Sequence, residues 1–475
     1  MPAREIVQER IDSDRREIFE GPGPDRVAIS IRAAHLKSSA ASPKGRRWKR
    51  WRPATAPPAT SGSARINPTD IDRLADWIIR RGLEGTTESD LLRLFCEKCG
   101  TAGLPVNRAL MFMDTLHPVH EGRIFFWRND GGEDAGPVRD YGPSNQGEVA
   151  AAWQRSPFFH LLQTGGEELR RRIGFGESAD YLIIQEMKDA GHTDYVMFVH
   201  RFAPEGTIGE MDCFYSAWST KHPEGFSDSN VAALRRLAPA LGLAAKSASL
   251  ARIASTVAEV YLGRDAARRV LDGRIQRGIA DRIEAVLWFS DLRSFTTITD
   301  TARPHEIIPL LNDYADAVIT AIRQAGGDVL KLIGDGTLAV FPAEDRAAAC
   351  SAALKAEADM RRRVAELNER RKAEERPTTS VYVGLHVGAV FYGNIGSVDR
   401  LDFTVVGPAV NETSRIASMC RSVDRAVLIS SAFAHALPEA ERAKLVSVGR
   451  FALRGVGRAQ DLFTLDPALI SQAQQ

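Results

Sequence analysis

The run Val286-Leu287-Trp288-Phe289-Ser290-Asp291 is an apolar strand pattern that ends on a carboxylate before the chain turns into a helix. Further on, Gly326 to Phe341 reads as two strands joined at Gly334-Asp335-Gly336, a hairpin with an acidic tip. Carboxylates at strand ends, each beside small residues that let phosphate approach, offer hard oxygen ligands with positions left open for substrate. That is what a pair of Mg²⁺ ions requires. A third block, from Asp402 through Thr404 and Gly407-Pro408 to Asn411 and Arg415, places Asn411 and Arg415 four apart at the start of a predicted helix, on one face. An arginine fork in such a place binds two phosphate oxygens at fixed geometry.

Taken in order, these blocks resemble the class III nucleotidyl cyclases, the adenylate/guanylate cyclase family, from Ile283 to Leu465. The resemblance implies a ferredoxin-like α+β catalytic domain with a βαββαβ core. It implies two Mg²⁺ or Mn²⁺ ions at Asp291, Leu292 and Asp335. The family's base-selecting position, Lys for adenine and Glu for guanine, falls on Lys331, four residues before Asp335. A lysine ammonium donates to the unprotonated ring nitrogen of adenine and finds the protonated nitrogen of guanine a poor partner, so the residue type argues for ATP. Thr404 falls on the second base-contacting position, which resembles the Thr-bearing class IIIb subgroup. Asn411 and Arg415 match the residues that orient the ribose and stabilise charge on the reacting phosphate. Arg454 matches a basic residue that contacts the terminal phosphates. Two positions depart from the pattern: Ser294 stands where many members have Gly, and Pro408 where an acidic residue commonly follows the Gly.

The activity implied is adenylate cyclase, converting ATP to 3′,5′-cyclic AMP and pyrophosphate. The assembly implied is a head-to-tail homodimer whose sites take the metal aspartates from one subunit and Asn411 and Arg415 from the other. A guanylate cyclase, a catalytically silent nucleotide-binding module, and a chain whose main role is ligand binding by its N-terminal half remain the alternatives.

The elements that must position these residues occupy the C-terminal part of the chain. We expect a catalytic domain over 285–467, a helical connector over 251–284 interrupted by Gly263, Gly273 and Gly278, and a strand beginning at Val286. Residues 66–250 read as a separate α+β domain. Its expected helices are Asp70 to Ile79, capped by Thr69 or Asp70, and Glu88 to Cys99; strands are expected at Arg123 to Trp127, Tyr181 to Glu186, Tyr195 to Phe202 and Cys213 to Ser219. The stretch from Ala217 to Leu241, with a helix opened by Ser227 or Asp228, resembles the end of a GAF domain. That implies a small-ligand sensor or dimerisation module, with a PAS-like domain the alternative. Residues 1–65, rich in Gly, Pro, Ser, Ala and Arg from Pro22 on, and 468–475 read as tails. The basic run Lys44 to Arg52, with Trp48 and Trp51 inside it, suits either a solvated tail or docking on anionic lipid or nucleic acid.

The 475 residues suffice for two or three domains. With 62 Lys and Arg against 61 Asp and Glu, the net charge of +1 supplies no global attraction to nucleic acid or an acidic membrane, so no nucleic-acid partner is expected. No long uninterrupted apolar run and no signal-peptide pattern is present, and the five cysteines are scattered, which suits a reducing, cytoplasmic setting. Cys96 and Cys99 lack a second pair at zinc spacing and read as buried thiols, while His117 and His120 have no companion ligand nearby.

Overall fold

The computed structural model describes residues 66–129, 137–145, 147–203 and 207–466. The basic run 44–52 and the tails lie outside them. Among the described residues, no helix is long and apolar enough to cross a membrane.

The first half is built on a six-stranded antiparallel sheet. Its strands are β1 (Arg108–Asp114), β2 (Gly122–Arg128), β3 (Val138–Tyr141), β4 (Glu168–Arg171), β5 (Asp194–Arg201) and β6 (Cys213–Thr220), in the order β3-β2-β1-β6-β5-β4. Alternating side chains feed two cores. Met111, Phe198, Phe214 and Trp218 pack against helices Pro68–Leu83, Glu88–Thr101 and Asp228–Leu262. Phe112, Met197 and Tyr215 pack on the other face, against helices Pro157–Thr164 and Leu182–Asp189.

Two local expectations in this half need correction. The first helix starts at Pro68, and its cap is Asn67, whose side chain accepts from the Thr69 amide at 3.0 Å. Proline in the first turn loses no hydrogen bond, so the helix extends back past Asp70. The run Tyr181 to Glu186 is no strand: it opens helix Leu182–Asp189, which buries Ile184 and Met187 at helical spacing. A short apolar run satisfies both periods, and the packing decides.

Ser227 caps helix Asp228–Leu262 through the Asn230 amide at 3.3 Å. This helix runs 35 residues without interruption, past residue 250, to Gly263, and a shorter helix, Arg264–Leu271, follows.

The second sheet comprises β7 (Ala280–Leu292), β8 (Asp328–Ile333), β9 (Gly336–Pro342), β10 (Val381–Gly396), β11 (Leu401–Val406), β12 (Val427–Ser430), β13 (Leu445–Phe451) and β14 (Gln460–Leu465). The order is β13-β14-β12-β10-β7-β9-β8, with β11 paired to β10. β7, helix Pro304–Gln324, β8, β9, helix Arg346–Ala373 and β10 form the βαββαβ unit, with the two helices over one face around Trp288, Tyr314, Phe341 and Met360. β7 begins at Ala280, earlier than expected, because Ala280 to Ile283 pair with Gly393 to Val390 of the long strand β10. A local helical pattern yields there to an available strand partner.

Candidate active site

Asp291 stands near the end of β7 and Asp335 at the tip between β8 and β9. β7 pairs with β9 from Ala285–Pro342 to Ser290–Thr337, which carries the hairpin tip alongside Asp291. The amide of Leu292 donates to Oδ2 of Asp335 at 3.2 Å, which holds the Asp335 carboxylate beside Asp291. Loss of water around Asp291, reinforced by the neighbouring Asp335, raises its pKa to about 6. No ion pair with Lys, Arg or His joins either carboxylate among the described residues.

Two carboxylates crowded together without a cationic partner fit a divalent cation that brings its remaining ligands from water and substrate phosphates. Among the described residues no cluster of three or more His, Cys, Asp or Glu forms a closed cage, so the set is an open one. Asp291, Leu292 and Asp335 line a cavity of about 180 Å³, floored by Tyr314 and Val318 and bounded by Gly334 and Gly336.

Just past the pair, Ser294 has a φ of 57° and ψ of 28°, left-handed backbone that favours glycine. The departure noted at this position is thus a serine held where Gly is conformationally cheaper. Pro408 occupies the first turn of helix Pro408–Val423, where its missing amide has no intrahelical acceptor to lose. That helix lies close on β10 because Gly384 is beneath it: a Cβ there would fall 2.6 Å from the Ala417 nitrogen and 2.8 Å from the Thr413 carbonyl oxygen.

Asn411 and Arg415 are exposed on this helix, and no hydrogen bond or ion pair of either side chain is found among the described residues. Between them in sequence, Glu412 points elsewhere: Gln460 donates to it at 3.1 Å, and His386 Nε2 lies 3.5 Å away. Burial lowers His386 from its ordinary 6.5 to about 4, while its Nδ1 lies 2.8 Å from Ser430 Oγ. Arg454 is exposed after β13.

Lys331 forms an ion pair with Asp402 of β11. Asp402 and Thr404 are alternate residues of one strand and share a face, so the ammonium is held on the side where Thr404 lies. Thr404 is mostly covered at 8% exposure. Asp402 was not singled out by the motif reading; its place two residues before Thr404 was the available signal. Within one chain, then, Asp291, Leu292 and Asp335 come together, and Lys331 joins Asp402 near Thr404. None of Lys331, Thr404, Asn411, Arg415 and Arg454 lines the cavity beside the carboxylates.

Cys96 and Cys99 are fully buried in the helical core beneath the first sheet, and burial raises both thiols. The rings of His117 and His120 stack at 4.7 Å, and His117 Nδ1 accepts the Val119 amide at 3.2 Å, a loop-closing role.

Residues 280–466 match the family model of the adenylate and guanylate cyclase catalytic domain. An adenylate cyclase of Anabaena cylindrica is 33% identical over 178 residues, 36% of this chain and 35% of that protein. Adenylate cyclase 1 of Rhizobium meliloti (strain 1021) is 28% identical over 179 residues, covering 36% of this chain and 26% of that protein. The chain thus spans only about a third or less of the curated relatives' length. A solved bacterial light-regulated adenylyl cyclase aligns with 26% identity over 40% of this chain and 96% of that one, at a TM-score of 0.35. The matched segment carries Asp291 at its strand end, the acidic hairpin and the Asn411/Arg415 helix, and it is over residues 280–466 that the chain is similar to adenylate and guanylate cyclase catalytic domains.

Proposed function

We propose that the chain is an adenylate cyclase that converts ATP to 3′,5′-cyclic AMP and pyrophosphate. The observation that carries the choice of base is the Lys331–Asp402 ion pair, which keeps an ammonium on the face of β11 that bears Thr404. That ammonium donates to the unprotonated ring nitrogen of adenine, and the Thr404 hydroxyl accepts from the adenine amino group.

In the reaction the ribose 3′-oxygen bonds to the α-phosphorus and gives up its proton to water. The bond from the α-phosphorus to the bridging oxygen breaks, and pyrophosphate leaves with the electron pair. Asp291, Leu292 and Asp335 would hold two Mg²⁺ or Mn²⁺ ions, which when bound acidify the hydroxyl and neutralise the triphosphate. Asn411 orients the ribose, Arg415 meets the charge developing on the α-phosphate, and Arg454 binds the terminal phosphates. Positioning and charge neutralisation therefore do most of the work.

Asn411 and Arg415 are exposed, without side-chain partners among the described residues, and absent from the carboxylate cavity. This supports a head-to-tail homodimer in which they complete the partner's site. Exposed apolar side chains on the β10–β11 hairpin, Phe391, Ile395 and Val406, suit such a contact. The first sheet, covered on both faces by helices, supports a GAF-like sensory domain over residues 66–250 that regulates the catalytic half. The test is cyclic AMP formation from ATP, beside GTP, by the purified full-length protein with Mg²⁺ or Mn²⁺. Equal or greater turnover of GTP would reject the adenylate reading, and silence with both would reject the cyclase reading.

A further inference from the structure

Helix Asp228–Leu262 ends at Gly263, whose φ of +83° lies in the left-handed region. A Cβ at that position would fall 2.6 Å from the carbonyl oxygen of Val329 and 3.2 Å from Oδ1 of Asp328. The chain therefore turns against β8 at a spacing that only glycine permits. The next helix, Arg264–Leu271, receives no side-chain cap from its own flanking residue. Its first amides are taken by β8 instead: Asp328 Oδ1 accepts from Arg264 at 3.2 Å, and Oδ2 from Asp265 at 3.0 Å. Asp328 is 8% exposed, and no Lys or Arg pairs with it among the described residues. Charged hydrogen bonds to a helix start are strong, so this carboxylate fastens the helix to the beginning of β8.

The same helix lies against β8 and shares a hydrophobic core with β11, the two strands that bear the base-selecting pair. Ala266 packs in one cluster with Leu330, Tyr392, Phe403 and Val405, and the Arg269 guanidinium lies 5.1 Å from the Tyr392 ring centroid. Phe403 and Val405 flank Thr404, whose cross-strand partner is Gly393. Leu330 directly precedes Lys331, and the β8–β9 register shifts between Val329 and Lys331. Among the described residues β8 is also the edge of its sheet, bonded to β9 alone. An edge strand with an irregularity just before Lys331 has little else to fix its start.

We propose that Asp328 is a positioning residue for base recognition. By fastening helix Arg264–Leu271 to β8 it sets where Lys331 stands relative to Thr404, and makes nucleobase selection depend on the helix leading out of the N-terminal half. The inference rests on the base-contacting reading of Lys331 and Thr404 given above.

The experiment uses full-length protein and two variants, Asp328→Ala and Asp328→Asn, the latter keeping the side-chain size and one acceptor. Steady-state kinetics with ATP and GTP are expected to show the KM for ATP raised about tenfold in Asp328→Ala. The ATP-over-GTP preference should fall by about tenfold, with kcat changed by less than about threefold, and Asp328→Asn should lie between. Hydrogen exchange should quicken at residues 264–265 and also across β8 and β11, but not in helix Arg346–Ala373. A lower melting temperature with KM and base preference intact would make Asp328 merely structural and overturn the inference, as would faster exchange confined to 264–265. Exchange is read without turnover, so it decides the coupling of helix to strands even if the wild-type protein cyclises neither nucleotide. That last result would sink the proposed activity alone, provided exchange still spreads to β8 and β11.

Discussion

The main-chain amide of Leu292 donates to Oδ2 of Asp335, tying the residue after one carboxylate to the other carboxylate. The two acids are thereby held together by the strand and hairpin themselves, at the cost of mutual repulsion that a cation relieves. Asp291→Ala or Asp335→Ala should lower metal-dependent cyclisation by at least 10²–10³-fold. Mn²⁺ should raise the melting temperature of the wild-type protein but not of an Asp291→Asn/Asp335→Asn double variant. Substantial turnover by either alanine variant would remove these residues from the site.

The exposed Asn411 and Arg415 lead to a mixing experiment. Asp291→Ala chains and Arg415→Ala chains, each inactive, should recover part of the activity when combined, since a mixed dimer assembles one intact site. No recovery, with mixed dimers demonstrated, would count against shared sites.

Ser294 holds left-handed backbone that glycine adopts without steric cost. Ser294→Gly should therefore stabilise the protein by about 0.5–1 kcal/mol in urea unfolding, the relief of strain exceeding the added freedom of the unfolded chain. A loss of stability would mean that the serine side chain contributes more than its backbone costs.

His386 gives a pH dependence whose sign is fixed by burial. Its folded pKa, about 4, lies below its ordinary 6.5, so between those values the unfolded chain binds the proton and the folded chain does not. The contribution is full above pH 6.5 and is lost as the pH falls toward 4, at up to about 1.4 kcal/mol per pH unit. Urea unfolding at pH 7, 6 and 5 should show a steeper decline for wild type than for His386→Asn. Parallel declines would assign the acid sensitivity to other groups.

The acidic hairpin was legible because Gly334-Asp335-Gly336 between two apolar runs permits few structures, and Asp291 because an apolar strand must end somewhere. On the helix carrying Asn411 and Arg415 the spacing put both residues on one face, and the family resemblance singled them out. What escaped was what depends on distant contacts. Lys331 and Asp402 are 71 residues apart, and nothing local announces that their charges meet. Asp328, sitting after Gly326-Gly327, looks like turn chemistry until the amides of Arg264 and Asp265 are seen on its carboxylate. Tyr181 to Glu186 failed for the opposite reason: the local signal was ambiguous, and burial of Ile184 and Met187 selected the helix. The early start of β7 was concealed because its partner, the far end of β10, lies about a hundred residues away.

The unbroken helix from Asp228 to Leu262 fixes a phase as well as a length. At 1.5 Å per residue its 35 residues span about 52 Å. Each residue added or removed would rotate whatever follows by about 100° about the helix axis. Replacement of the N-terminal half by an unrelated module is thus governed by counting. Junctions shifted by seven residues return the exit to within about 20° of its original azimuth, while a shift of two turns it to the far side. A graft between such proteins succeeds or fails on the arithmetic of that one helix before the identity of the grafted sensor matters.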